Sequence, residues 1–186
     1  MRRKLLRRYF PDAAAVRANR WMAMFGSLLH HPNLWHFNRD SVAGAVAIGL
    51  FAGLVPGPLQ VLTALLLAVP LHRNLPVAIV VTFYTNPFTI VPLYIVAYGY
   101  GRLLLMGGNS DAARLQPFEW DWSDWGWSLR ALFDWMLELG LPLAVGLPAL
   151  AATLAVLGYF SVQLAWRAWV VLEWRARRRR REAARR

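Results

Sequence analysis

The chain has no cysteine, which excludes disulfides, thiolate metal sites and cysteine nucleophiles. Carboxylates are scarce, ten Asp and Glu against 21 Lys and Arg in 186 residues. None of these four residue types occurs in 41–72, 74–101 or 139–166. General acid–base chemistry needs a positioned pair, such as two carboxylates or a carboxylate with a histidine. The body between Ser41 and Gly101 has no carboxylate and a single histidine, His72, beside Arg73. It also lacks a Gly-rich phosphate loop after a strand and an HExxH pair. No enzyme is expected, and no cofactor or metal. The stretch Met1 to Arg20 has the basic part of a signal peptide without an apolar run behind it, so this basic end is expected to be retained.

What the chain does have is apolar bulk, 58% hydrophobic residues, with a formal charge of +11 and a mean hydropathy of +0.34. Charge position reconciles the two. Residues 1–20 carry a net +6, residues 167–186 a net +7 and the middle a net −2. A nearly neutral apolar body between two cationic ends excludes a disordered chain and argues against an ordinary soluble domain. The expected fold class is an all-α membrane protein with broken or re-entrant helices around two Pro-containing breaks, an interfacial helix and a C-terminal transmembrane helix.

A bilayer core of about 30 Å needs about 20 helical residues. The uncharged stretch 41–72 would run roughly 48 Å as one helix. Its middle is Val55-Pro56-Gly57-Pro58-Leu59-Gln60, where two prolines remove backbone donors and should stop a helix. The second stretch is broken in the same way at Tyr84-Thr85-Asn86-Pro87-Phe88-Thr89. Paired breaks of this kind point to a transporter-like site, because half-helix ends aim their dipoles at a ligand; plain proline-kinked spans are the alternative. Ala45, Gly49, Gly53 and Gly57 recur every four residues and let another helix approach closely, within the chain or in a dimer. Asp40-Ser41 is a plausible cap for the first helix.

These features divide the chain. Residues 1–39 form a basic cytoplasmic arm with an interfacial helix. Residues 40–166 form a single membrane domain, with two broken helical segments in 40–107, an acidic Trp-rich outer segment in 108–138 and a transmembrane helix in 139–166. Residues 167–186 form a basic cytoplasmic tail. Lys and Arg at both ends place both termini in the cytoplasm, and the expected location is a multi-pass protein of the bacterial inner membrane. One arrangement is a re-entrant 41–71 with Arg73 near the cytoplasm, 74–101 crossing outward and 139–166 returning. The outer segment includes Trp120, Trp122, Trp125, Trp127 and Trp135, and its 125–138 part reads as an amphipathic helix lying in the interface. The acids of 119–138 read as a solvated face. His30, His31 and His36 could bind a metal, but an interfacial helix over 21–37 is the better reading. The arginine run at 175–181 suits anionic lipid directly after a span, in preference to nucleic acid.

At the breaks the chain also resembles a family. Ala47-Ile48-Gly49-Leu50-Phe51-Ala52-Gly53-Leu54-Val55-Pro56-Gly57-Pro58-Leu59-Gln60 is one half of the pattern, and Arg73-Asn74-Leu75-Pro76, Thr85-Asn86-Pro87-Phe88-Thr89 and Pro92-Leu93-Tyr94 complete it. Together they resemble the bacterial membrane family known as domain of unknown function 2062, over roughly 35–165. Phe83 stands where that family's pattern suggests tryptophan. Some members look to be joined to glycosyltransferase domains, which implies a link to envelope or lipid-linked sugar metabolism.

Two functions are expected. In a small transporter or lipid-carrier flippase, Gln60, Thr63, Arg73, Asn74, Thr85, Asn86 and Thr89 would line the junction of the breaks, with Arg73 meeting an anionic head group. Arg73 could instead mark the interface, and Asn86 could cap a half-helix before Pro87. Gly49, Gly53, Pro56, Gly57, Pro58 and Pro87 would be structural. In a non-transporting scaffold, the glycine stripe, the tryptophan face and the basic tail would bind an envelope protein or a second copy.

Overall fold

The computed structural model describes residues 34, 35, 37–57, 59–106, 121 and 123–183. The expected interfacial helix at 21–37 falls mostly outside them, as do His30, His31, His36, Pro58, Trp120 and Trp122. The described residues form five helices and no strand: α1 (Arg39–Ala52), α2 (Leu59–Ala68), α3 (Leu75–Thr82), α4 (Ile90–Met106) and α5 (Trp125–Ala183). Both long uncharged stretches are interrupted where their prolines lie. α1 ends before Pro56, and α3 and α4 are separated by the turn that holds Pro87.

The first helix is capped by Asn38, whose Oδ1 accepts from the Ser41 N–H at 2.7 Å. Asp40 and Ser41 lie inside the first turn, so the cap falls two residues before the Asp40 that the sequence suggested. α2 then runs back beside α1. Its end closes with His72 in the left-handed conformation, the His72 N–H bonded to Val69 O at 3.1 Å and the Arg73 N–H to Ala68 O at 2.9 Å. Such a double closure satisfies carbonyls that a helix end would otherwise leave unpaired. It returns the chain to the start of α1, where the Asn74 N–H meets Ser41 O at 3.4 Å. Asn74 is fully buried and caps α3, its Oδ1 accepting from the Val77 N–H at 3.0 Å. α3 therefore runs alongside α1 in the same direction.

Glycine sets this packing. A Cβ at Gly49 would collide with Ala78 O and Val81, and one at Gly53 would collide with the Tyr84 ring. The small-residue stripe thus packs against α3 within the chain. Gly57 does not belong to it: nothing lies within 4 Å of its missing Cβ, and its φ of 67° makes it a turn residue.

α5 crosses the whole body. Pro142 and Gly146 pack on Gly101 and Ala97 of α4, Gly158 packs on Leu50 of α1, and Gln163 reaches Asp40. From Pro142 to Gln163 this is about 32 Å at 1.5 Å per residue. The order of these contacts shows that α4 lies beyond the end of α1, while α1 packs on the other half of α5 and itself carries α2 and α3. The α4–α5 crossing is backbone on backbone, because Gly101 faces Pro142 O and Gly146 faces Ala97 O.

The boundary expected between a helix at 125–138 and one at 139–166 is met close by, at Gly140, whose non-helical φ of 59° and ψ of −144° kink α5 into two helical segments. The helix also continues past 166 as far as Ala183, because Arg, Ala and Glu are good helix formers and charge does not stop a helix. Two i,i+4 pairs, Glu173–Arg177 at 2.7 Å and Arg178–Glu182 at 3.0 Å, support it. The 125–139 part is amphipathic, but its Leu132 and Trp135 are buried in the body, while Trp125, Phe133 and Leu137 face outward. Trp135 is thus a core residue and not an interfacial one.

The exterior is apolar. Leu62 and Leu66 of α2, Val96 and Leu104 of α4, and Leu157, Phe160 and Leu164 of α5 are all exposed. Among the described residues α5 is the one helix long and apolar enough to cross a membrane.

The two glycines of α4 make a paired test. Gly101→Ala should destabilise the protein by about 1–3 kcal/mol through overpacking, because the added methyl meets the α5 backbone. Gly99→Ala, with open space around it, should be neutral or stabilising by up to about 1 kcal/mol. Thermal unfolding in detergent reads both, and equal effects would contradict the close crossing.

Candidate functional site

The end of α1 is a helix terminus without a following turn to pair all its carbonyls. A buried carbonyl needs a donor from somewhere. Backbone N–H groups serve two of them, Gly53 N–H on Gly49 O at 2.9 Å and Val55 N–H on Ala52 O at 3.0 Å. Side-chain hydroxyls serve three more. Tyr84 donates to Leu50 O at 2.8 Å, Tyr94 donates to Leu54 O at 2.9 Å, and the Thr85 hydroxyl bonds Gly53 O. All three donors come from the second break or the helix after it. The second break caps the first.

Gly53 is part of this device. The Tyr84 ring lies against its Cα, so a side chain there would push the phenol off Leu50 O. Thr85 is buried, with its Oγ1 2.8 Å from Gln60 Oε1 and 3.1 Å from Thr82 O. One hydroxyl hydrogen therefore faces three acceptors, counting Gly53 O.

The second break has its own cap. Asn86 Oδ1 accepts from the N–H groups of Phe88 at 3.0 Å and Thr89 at 3.2 Å. Thr89 returns the arrangement, its Oγ1 accepting from the Asn86 N–H at 3.0 Å and donating to Tyr84 O at 2.7 Å. With Pro87 after Asn86, this is a reciprocal capping box in the turn that leads into α4. The oxygen atoms of Asn86 and Thr89 thus have structural partners, while the Asn86 side chain remains exposed.

The sequence expectation that all the polar residues line one junction is corrected. Gln60, Thr85, Asn86 and Thr89 do come together. Arg73 and Asn74 lie at the opposite end of α1, about 18 Å away along a helix from Ser41 to Gly53. There Arg73 crosses over Gly44, whose missing side chain makes room for it, and donates from Nη1 to Asp40 O at 2.8 Å. Gln163 Nε2 donates to Asp40 Oδ1 at 2.9 Å. That hydrogen bond, with the nearby charges of Arg39 and Arg73, holds the Asp40 carboxyl below its ordinary range. Thr63 bonds back to Leu59 O at 2.8 Å within its own helix. Pro56 and Gly57 form the open turn between α1 and α2.

Sequence reasoning missed Tyr84 and Tyr94 as caps. Their signal was present, since a tyrosine inside an apolar run carries a hydroxyl that needs a partner when buried. It also missed the α4–α5 crossing, signalled by Ala97 and Gly101 four residues apart.

The structure defines an all-helical protein in which two interrupted segments complete one another against a single long helix. The chain belongs to the family described as "Uncharacterized protein conserved in bacteria (DUF2062)", whose model matches residues 22–175. That match spans α1 to α4 and most of α5. No curated protein and no solved structure was found to match the chain.

Removing one cap donor strands a buried carbonyl. Tyr94→Phe and Thr85→Val should each destabilise the protein by about 1–3 kcal/mol, and Thr85→Ser, which keeps the hydroxyl, should avoid most of that loss. Unfolding midpoints that rank Thr85→Ser with Thr85→Val would show that the hydroxyl is not what matters.

Proposed function

We propose that the chain is a small integral membrane protein of the bacterial inner membrane that moves an anionic amphiphile, of the lipid-carrier type, across the bilayer at the level of its two breaks. The apolar exterior supports the membrane setting, since contiguous exposed apolar surface of this extent marks a lipid or protein contact. The length of α5 between Pro142 and Gln163 is close to the hydrocarbon thickness of about 30 Å. Asp40 and Gln163 are hydrogen-bonded, so the chain enters and leaves the body at the same end. The basic flanks 1–20 and 167–186 assign that end to the cytoplasm by the positive-inside rule. In this setting α1 and α2 form a re-entrant hairpin from the cytoplasmic side, α3 and α4 make one broken crossing, and the arginine-rich tail meets anionic lipid.

The observation that carries the transport reading is the convergence of two helix starts at the breaks. Gln60 in the first turn of α2 meets Thr85, and Asn86 beside it caps α4. Both starts direct positive dipole ends to mid-depth, where an anionic head group would be stabilised. The level is open toward the outer half, because α1 packs on only the cytoplasmic part of α5 and Phe88 and Leu59 are exposed there. No catalytic chemistry is part of this reading.

A scaffold role is the second reading. It is favoured by α5 beyond Gln163, where Leu164, Trp169, Leu172 and Trp174 are exposed on several faces and suit a partner helix. Crosslinking in native membranes that traps a stoichiometric heterologous partner there supports it.

Translocation separates the readings. Proteoliposomes of the purified chain should speed the transfer of a fluorescent short-chain anionic lipid between leaflets relative to protein-free vesicles. Asn86→Asp keeps the capping oxygens but adds negative charge, and should slow transfer by about tenfold or more, which corresponds to about 1.4 kcal/mol. Transfer at the protein-free rate by the unmodified chain overturns the transport reading.

A further inference from the structure

α5 runs on past the body. Gln163 is the residue that meets Asp40 at the start of α1, and from Leu164 to Trp174 every residue but Trp166 is exposed. Leu164, Trp169, Val170, Leu172 and Trp174 are spread round the whole circumference at 3.6 residues per turn. Arg167 and Glu173 are the charges in this stretch. A helix that is apolar all round is a covered helix. Its flank holds a groove of about 350 Å³, lined by Val170, Val171 and Trp174 with Arg175 and Arg178 at its far end.

The chain just before the body carries a segment of matching chemistry. Residues 21–38 contain no Asp, Glu, Lys or Arg. Within them Trp21, Met22, Met24, Phe25, Leu28 and Leu29 recur at helical spacing, opposite Ala23, Gly26, Ser27 and His30. Helices that lie on a bilayer carry Lys and Arg on their polar face, and this pattern has none, which favours a protein surface. Pro32 would end such a helix at the residue before it. As a helix, residues 21–30 would be about 15 Å long, against about 16 Å from Leu164 to Trp174. The connection fits as well. Leu34 is fully buried on the side of α1 that carries α2 and α3. His31-Pro32-Asn33 can span about 10 Å when extended, the width of one helix, so the chain can pass the start of α1 and reach α5. We propose that residues 21–30 form an amphipathic helix that docks antiparallel on α5 between Leu164 and Trp174 and fills the groove at Val170, Val171 and Trp174.

Two further observations favour the chain's own segment over a second copy or lipid. A helix tethered by three residues is present at an effective concentration of about millimolar, which a separate molecule in the membrane must exceed. The family match, residues 22–175, takes in both segments and leaves out nearly all of the two basic ends. Methionine in the docking face suits the groove, since its unbranched side chain fills irregular gaps. Docking brings the basic stretches 1–20 and 175–186 to one end of the molecule. Their repulsion is screened beyond about 8–10 Å in physiological salt, and anionic lipid at that end would offset it.

The chain has no cysteine, so introduced pairs report proximity directly, and the result does not depend on lipid transfer. In native membranes treated with a short bismaleimide, Met24→Cys with Val171→Cys should crosslink within one chain. It should do so about tenfold faster than Met24→Cys with Leu62→Cys, which lies on the exposed face of α2. Phe25→Asp puts a charge on the docking face and should reduce the Met24–Val171 crosslink to that control level, while Phe25→Leu should keep it. Unfolding midpoints in detergent check that each variant is folded. A Met24–Val171 product found only between two differently tagged copies assigns the groove to a second copy and overturns the proposal. A yield no higher than the Leu62 control leaves this length of α5 to lipid and also overturns it. So does an undiminished crosslink in Phe25→Asp, which would mean proximity without docking.

Discussion

The buried end of α1 is the constraint around which the rest of the body is arranged. A helix stopped by Pro56 inside apolar surroundings leaves carbonyls that water cannot reach, and the elements that follow α3 supply the donors. Tyr84 and Thr85 come from the second break and Tyr94 from α4. Each of these groups needs its own backbone fixed to reach its target, which gives the Asn86–Thr89 capping box its structural importance. Gly49 and Gly53 bring α3 close enough for the arrangement to close. Backbone irregularity in apolar surroundings is tolerated where protein meets its polar groups, and here the second break does this for the first and caps itself.

The same organisation separates two jobs that the polar residues could have shared. At the start of α1, Asp40, Arg73 and Gln163 join α1, the α2–α3 turn and α5 by hydrogen bonds. These contacts hold three elements at one level and leave Arg73 far from the breaks. At the breaks the polar atoms belong to hydroxyls, amides and carbonyls, with no ionised side chain among Gly53, Gln60, Thr82, Thr85 and Asn86. Neutral dipoles can be buried at moderate cost when paired, whereas an arginine there would need a full counter-charge. The breaks therefore present oriented dipoles and no fixed side-chain charge.

Much of this was legible in the sequence, and the reasons differ by element. Pro56 and Pro87 act through their own backbone, so the two interruptions could be placed from local chemistry alone. The Asn86 cap before Pro87 was equally local. Arg73 was misplaced because its neighbours depend on how many half-helices separate it from each break, and spacing along the chain does not contain that. Tyr84 and Tyr94 reach carbonyls more than thirty residues away, a pairing that only the packed structure determines. The boundary expected at 166 rested on charge, and charge changes where a helix sits without ending it. Leu132 and Trp135 were assigned to an interface because amphipathicity shows that a face is covered, not by what.

The direction of the capping contacts has a consequence for how the protein is made. Every hydroxyl that completes α1 lies downstream of it, by 34 residues for Tyr84 to Leu50, 32 for Thr85 to Gly53 and 40 for Tyr94 to Leu54. The hairpin of α1 and α2 must therefore leave the ribosome with its turn unfinished and wait for α3 and the start of α4. Until then its open carbonyls need water or another donor, and the closing of the hairpin becomes a late step of synthesis, led by the second half of the body.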